Sequence, residues 1–269
     1  MESFRYRIIF SDLDGTLLRG DHSISARTKE ALRSLTARGI LFVPVSARTP
    51  DAITPIVRDI GIDAPIISYS GALVTLPGGG VVKSTVIEKP LAYAVIDELS
   101  RRYPGGVPSF YAGTDWYVTD CANPLVQNER DITGVRPKQA DFKDLLSRGI
   151  LPHKFLCMCE KESCLKIRRA LHQRFPALSV VPSSDFLLEL MDASVSKSAG
   201  IRALLFYLQL RAEDALAFGD SYNDIDMLKA VGTGVAVANA CEEVKQAAKA
   251  VAPSNDEDGV LSFLTQAGL

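Results

Sequence analysis

Along the chain, short apolar runs alternate with longer stretches in which apolar residues recur every three or four positions. Short runs bounded by polar residues read as strands and the spaced stretches as helices. Ile8-Ile9-Phe10 is the first such run, and it ends in Ser11-Asp12-Leu13-Asp14-Gly15-Thr16. From Ser25 to Gly39 a capping serine, apolar Ala31, Leu32 and Leu35, and a terminal glycine predict a helix. Ile40 to Val45 is the next strand, which completes a β-α-β unit with a right-handed crossover between parallel strands. Thr49-Pro50 opens a second helix, with Ile53, Ile56, Val57 and Ile60 on one face and Gly61 closing it. Pro65 to Ser68 reads as a third strand. Leu73–Thr75 and Val81–Lys83 flank a Pro-Gly-Gly-Gly turn and read as a hairpin.

The texture changes between about Ser84 and Leu190. Helical patterns at Pro90–Arg102, Asn123–Ile132, Asp141–Ser147 and Glu162–Phe175 are mixed with strands rich in aromatic residues, and half of the chain's aromatics lie here. Strand–helix alternation then resumes. Lys197–Leu210 reads as a helix, Ala215–Phe218 as a strand, Asn223–Ala230 as a helix and Gly234–Val237 as a strand, followed by Glu242–Ala248, Ala250–Ala252 and Asp258–Ala267. The prediction is an α/β fold: a doubly wound, Rossmann-like parallel-sheet core of residues 1–83 and 191–269, interrupted by an inserted α+β domain of residues 84–190.

Composition narrows the partners. The 269 residues are 47% hydrophobic and 23% charged, with a net charge of −2, so nothing favours a polyanion. Neither nucleic acid nor a membrane is an expected partner, since no apolar run nears the ~20 residues of a membrane span. Charge at Arg5 and Arg7 interrupts any signal-peptide core. The five cysteines form no CxxC pair and read as buried, reduced thiols. A cytoplasmic monomer or small homo-oligomer is expected.

The candidate chemistry lies where strands end. Asp12 and Asp14 follow the first strand, and Gly219-Asp220-Ser221-Tyr222-Asn223-Asp224 follows another. In a parallel α/β sheet both clusters reach the same edge, where ligands bind. Two unit charges 4 Å apart at an effective dielectric near 20 repel by about 4 kcal/mol, so several carboxylates in one pocket call for a cation. Oxygen-only ligands point to Mg²⁺. Two resemblances fail. Counted from Asp12, the glycine and the twelfth residue, Ser23, do not fit a calcium loop. The Gly78–Ser84 stretch has Val82 where a P-loop needs glycine.

Taken in order, these residues resemble the haloacid dehalogenase superfamily, and most closely its subclass IIB, the Cof-type sugar phosphatases. Asp12-Leu13-Asp14-Gly15-Thr16 is similar to the DxDGT motif, Ser46 to the motif II hydroxyl, Lys197 to the motif III lysine, and Gly219-Asp220 with Asn223-Asp224 to GDxxND. Val237–Ala240 and Ser254–Val260 resemble the group's C-terminal signatures. Ser46-Ala47-Arg48 and Ser70-Gly71-Ala72 depart from the usual Thr-Gly-Arg and Asn-Gly-Ala.

The resemblance implies a Mg²⁺-dependent phosphomonoester hydrolase of small phosphorylated metabolites, sugar phosphates first. Asp12 is then the nucleophile that forms an aspartyl-phosphate, and Asp14 the acid and base. Asp12, Asp14 (through its backbone carbonyl) and Asp220 hold the metal, with Asp224 behind them. Ser46 and Lys197 serve catalysis. Leu13, Ser46, Ala47, Arg48, Lys197 and Asn223 bind substrate or phosphate, Asn223 by orienting either Lys197 or the phosphate. Two roles are open to Arg48, a substrate contact or a structural salt bridge. The inserted domain supplies specificity, and Tyr111, Trp116, Tyr117 and Cys157–Cys159 either face substrate or pack its core. The alternatives to hydrolysis are a phosphotransferase or phosphomutase on the same scaffold and a non-catalytic metabolite-binding protein.

Overall fold

The apolar run at Ile8 forms strand β1 (Ile8–Ser11), buried throughout. A computed structural model describes residues 5–103 and 105–268 of the chain. Ser25 caps helix α1 (Ala26–Ala37) by accepting the Thr28 N–H, and β2 (Leu41–Pro44) returns parallel to β1. Helix α2 (Pro50–Ile60) starts at the cap-and-proline signal and stops at Gly61 in the left-handed conformation. The third predicted strand, β3 (Ile66–Ser68), pairs antiparallel with β4 (Leu73–Thr75), and β5 (Val81–Ser84) completes a small three-stranded sheet. It meets the extension of β2 through one bridge, Val45 to Ile67.

The next segment holds α3 (Lys89–Arg102), β6 (Val107–Ala112), β7 (Asp115–Val118), α4 (Pro124–Thr133) and β8 (Lys138–Gln139). It continues with α5 (Phe142–Ser147), β9 (Lys154–Met158), α6 (Lys161–Arg174), β10 (Leu178–Ser184) and β11 (Leu187–Asp192). The alternation then returns as α7 (Lys197–Leu208), β12 (Ala215–Gly219), α8 (Ile225–Ala230), β13 (Thr233–Val237), α9 (Glu242–Ala247), β14 (Ala250–Ala252) and α10 (Gly259–Gln266).

Two compact units result. One is formed by the chain up to Lys83 and from Ser196 onward, the other by Ser84–Val195. The first is built on a parallel sheet of order β14-β13-β12-β1-β2. Its side chains alternate between faces, as a strand period of two requires. Ile9, Phe42, Leu216, Phe218 and Val235 pack with α1, α2 and α10, while Ile8, Phe10, Val43 and Ala217 pack with α7, α8 and α9. Strand order reverses at β1, so the chain winds away from β1 and β12 in opposite directions. That is the topological switch point at which α/β sheets bind ligands.

The second unit has a sheet of order β10-β11-β9-β6-β7-β8. Helices α3, α5 and α6 cover one face around Phe110, Phe142 and Phe155. Its end lies at Val195 rather than at the expected residue 190, because β11 runs to Asp192 and pairs with both β9 and β10. Strand β8 was not anticipated: Lys138 and Gln139 are both exposed and polar, so no alternation marks them. The expected helix at Asn223 begins as a 3₁₀ turn, Tyr222–Asp224, and becomes α-helical only at Ile225. Of the cysteines, Cys157, Cys159 and Cys164 are buried thiols as expected. Cys121 and Cys241 are half-exposed, which corrects the expectation for those two. No helix among the described residues is long and apolar enough to cross a membrane.

Candidate active site

The register of the parallel sheet brings the two acidic clusters together. Ser11 lies opposite Phe218 on β12, and the Asp12 N–H continues the ladder by donating to the Phe218 carbonyl at 3.0 Å. Asp12 and Asp220 therefore leave adjacent strands at the same edge. On the other side Ser11 lies opposite Pro44, which brings Ser46 to that edge as well. Asp12, Asp220 and Asp224 each offer a carboxylate oxygen, all within 4.8 Å of one another.

Two glycines make this packing possible. Gly15 turns the chain with φ +81°, and a Cβ there would lie 2.6 Å from Asp220 Oδ2. A Cβ on Gly219 would lie 2.5 Å from the Asp224 Cβ. The carboxylates are then fixed individually. Asp220 accepts from Thr16 Oγ1 at 2.8 Å and from Ser221 Oγ at 3.1 Å. Asp224 is wholly buried, and its Oδ2 accepts the backbone N–H groups of Asp220 and Ser221 at 3.1 and 3.0 Å.

Lys197 is the counter-charge. Ser196 caps α7, and the lysine at its first position is buried, donating to Asp12 Oδ1 at 2.5 Å and to Asp224 Oδ1 at 2.6 Å. Asp224 therefore orients Lys197. Asn223 is exposed and has no hydrogen bond to it. Burial opposes the charge on Lys197, but Asp12 and Asp224 outweigh it and hold the ammonium above its usual range. For Asp12 burial dominates. With repulsion from Asp224 and Asp220 it exceeds the pull of Lys197 and raises the carboxyl to about 7. Burial, then Asp224, also raises Asp220 against the bond from Thr16. One ammonium does not neutralise three carboxylates. The cluster has hard oxygen donors and surplus negative charge, which fits a small divalent cation such as Mg²⁺.

Asp14 is placed differently. Its carboxylate is outside the cluster and receives the Arg48 guanidinium as a fork, Nε to Oδ2 at 2.8 Å and Nη2 to Oδ1 at 2.5 Å. His22 Nδ1 lies 3.7 Å from the same Oδ1. Arg48 thus makes the salt bridge, with a catalytic candidate as its partner. Ser46 is buried, and its Oγ accepts the Arg48 N–H at 3.1 Å, which leaves the hydroxyl proton available to a ligand.

A model of the haloacid dehalogenase-like hydrolases matches residues 9–264. The chain belongs to that family. It is 36% identical over 261 residues to a Haemophilus influenzae protein provisionally named a phosphatase, covering 97% of this chain and 98% of that one. A Bacillus subtilis 5-amino-6-(5-phospho-D-ribitylamino)uracil phosphatase is 26% identical, with 97% of each chain covered. The crystal structure of a Thermotoga maritima protein superposes with a TM-score of 0.89 at 26% identity, again covering 97% of each chain. The chain is an enzyme, a phosphatase of the haloacid dehalogenase-like family.

The structure also shows what the C-terminal signatures of this family member do. Asn239 Nδ2 donates to the Gly15 carbonyl at 2.7 Å, and its Oδ1 accepts the Asn255 N–H at 3.1 Å. Asn255 Nδ2 donates to the Leu18 carbonyl at 2.9 Å, and Arg19 forks onto Asp258. These side chains brace the turn after Asp14 from outside. Reading the sequence for charge missed them, along with Thr16 as a partner of Asp220. Both signatures were visible only as resemblances, and a hydrogen bond between residues 204 positions apart leaves no local pattern.

Proposed function

We propose that this phosphatase hydrolyses phosphomonoesters of small metabolites, sugar phosphates first, with Mg²⁺ and through an aspartyl-phosphate on Asp12. The observation that carries the reading is the buried Asp12 carboxylate, held by Lys197 beside two further carboxylates. Asp12, Asp220 and the Asp14 backbone carbonyl would hold the metal, and Asp224 would support the set from behind. When bound, a cation there would supply charge neutralisation for the phosphoryl oxygens and would screen Asp12 from its neighbours.

The chain's own groups do the rest. An Asp12 oxygen attacks phosphorus in line with the departing ester oxygen, and the P–O bond to the leaving group breaks as the Asp12 O–P bond forms. Lys197 and the Ser46 hydroxyl bind the equatorial oxygens, and the N-terminus of α7 favours the same anion. Asp14 protonates the leaving oxygen and afterwards takes a proton from the water that attacks phosphorus, as the Asp12 O–P bond breaks to free the carboxylate and inorganic phosphate. Both Asp14 oxygens are occupied by Arg48, so one arm of the fork lets go before Asp14 serves the leaving group. The substrate phosphate or the leaving group is the natural new partner for that arm. Leu13, Ala47 and Asn223 complete the phosphate-binding surface in this reading.

The test is hydrolysis of p-nitrophenyl phosphate with Mg²⁺, followed by hydroxylamine trapping of an acyl phosphate. Trapped hydroxamate should map to Asp12. A trapped adduct on another residue, or full turnover by Asp12→Asn, removes the proposed nucleophile. A panel of sugar phosphates, nucleotides and phosphorylated cofactors then identifies the substrate class.

A further inference from the structure

The second unit contains a cavity of about 360 Å³ lined by Cys121, Val126, Gln127, Arg130, Arg136 and Pro137. Its origin is local. Asn123 caps α4 by accepting the Leu125 N–H, and Gly134 ends the helix in the left-handed conformation with its N–H on the Arg130 carbonyl. The chain then returns past the helix it has just left, so residues 136 and 137 face residues 126, 127 and 130 across a gap. Val126, fully buried, gives the gap an apolar floor, and Pro137 adds an apolar wall. Cys121 joins the two sides, its thiol 3.9 Å from the Pro137 carbonyl.

The polar lining has one chemical character. Its polar residues are Gln127, Arg130 and Arg136, and no acidic residue lines it. Asp131 holds Arg130 through Nε at 2.8 Å and Nη2 at 2.7 Å, which fixes the guanidinium and leaves Nη1 outside that pair. No carboxylate among the described residues pairs with Arg136. Its backbone is confined to extended conformations by the proline that follows, which reduces the freedom lost when its side chain takes a ligand. A concave, partly apolar pocket of this size with a few converging donors is what small-molecule sites look like. The guanidinium fork matches the paired oxygens of a carboxylate or phosphate.

We propose that this cavity binds a small oxyanion, either a phosphate ester or an organic carboxylate. Arg136 is the principal anchor, and Arg130 and Gln127 complete the donor set. The site is built wholly from residues 121–137 and shares no residue with the carboxylate cluster. It therefore stands or falls independently of the reading of Asp12.

Cys121 supplies a local readout, because it lines the cavity. In the full-length enzyme, the rate of Cys121 alkylation by N-ethylmaleimide is followed by peptide mass spectrometry. Methylphosphonate stands for a phosphate ester, malonate for a carboxylate and glycerol for a neutral control. The expected result is a saturable slowing of at least about threefold by one of the anions and none by glycerol. The effective anion identifies the ligand class. Arg136→Ala combined with Arg130→Ala should abolish the slowing, while p-nitrophenyl phosphate turnover shows that the variant remains folded. No slowing by either anion, or slowing that survives in the double variant, overturns the proposal.

Discussion

Each unit of the molecule buries a lysine against a carboxylate, and the two lysines do different work. In the second unit Lys154 reaches Glu189 at 2.9 Å and lies 5.2 Å above the Tyr111 ring, which is stacked on Trp116. Glu129 is close enough to feel both charges, and burial pushes it toward its neutral form. With Glu129 pushed toward its neutral form, Glu189 is the carboxylate that Lys154 contacts directly, and the sheet register, Tyr111 opposite Lys154, sets the geometry. In the first unit Lys197 meets Asp12 and Asp224 with Asp220 beside them, and the account does not balance. A balanced buried pair gives local specificity to the fold. An unbalanced cluster carries destabilising repulsion that a ligand relieves, which is why it marks a site of chemistry.

The aromatic residues of the second unit fall on the balanced side. Trp116, Tyr111 and Phe110 are buried, and Tyr117 meets Phe110 edge-on, so these side chains pack. The same holds for His153. Its Nδ1 accepts the Gly113 N–H at 3.1 Å, which puts the ring proton on Nε2 to donate to Ser84 Oγ at 3.0 Å.

Substitutions sharpen the contrast. The largest effect is expected at Asp12. Asp12→Asn should lower p-nitrophenyl phosphate turnover by about 10³-fold or more with an unchanged circular dichroism spectrum. Removing one member of the balanced pair should act on stability instead. Lys154→Met is expected to cost about 3–5 kcal/mol by leaving Glu189 buried alone, whereas Lys154→Met with Glu189→Leu should recover most of that. Urea midpoints compare the two variants, and an equal loss in both would make the pair a net stabiliser.

A smaller effect is expected one bond away from the proposed metal ligands. Thr16→Val frees one Asp220 oxygen and should raise the Mg²⁺ concentration for half-maximal activity by about 10-fold or more, with kcat at saturating Mg²⁺ little changed. A fall in kcat alone would place Thr16 in the chemistry instead.

The smallest effect is on pH dependence without metal. Asp12 takes its proton near 7 in the folded chain, against 3.8 as its ordinary value. The folded state therefore holds more protons than the unfolded state between those values. The contribution is fully present below about pH 4 and is lost as pH rises toward 7. In EDTA, Tm should fall by about a few degrees across that range, over and above the shifts of other groups. Mg²⁺ should reverse the fall at pH 7.5. A Tm that is flat in EDTA for wild type and for Asp12→Asn alike would remove the cluster as its cause.

Much of this was legible in the chain, because the signals are short-range. Strand runs, the Ser25 and Thr49 caps, the Gly39 and Gly61 stops and both acidic clusters each occupy a few consecutive residues, and backbone sterics and helix-end hydrogen bonds act over that range. Order along the chain then matched the phosphatase family. Only the tertiary structure decided the partners. It set Lys197 between Asp12 and Asp224 and left Asn223 aside, turned Asp14 toward Arg48, and extended the second unit to Val195. It also made Asn239 and Asn255 the brace behind Gly15. These contacts depend on strand register and on which groups remain unsatisfied after the sheet closes. Neither is written in any one stretch of sequence.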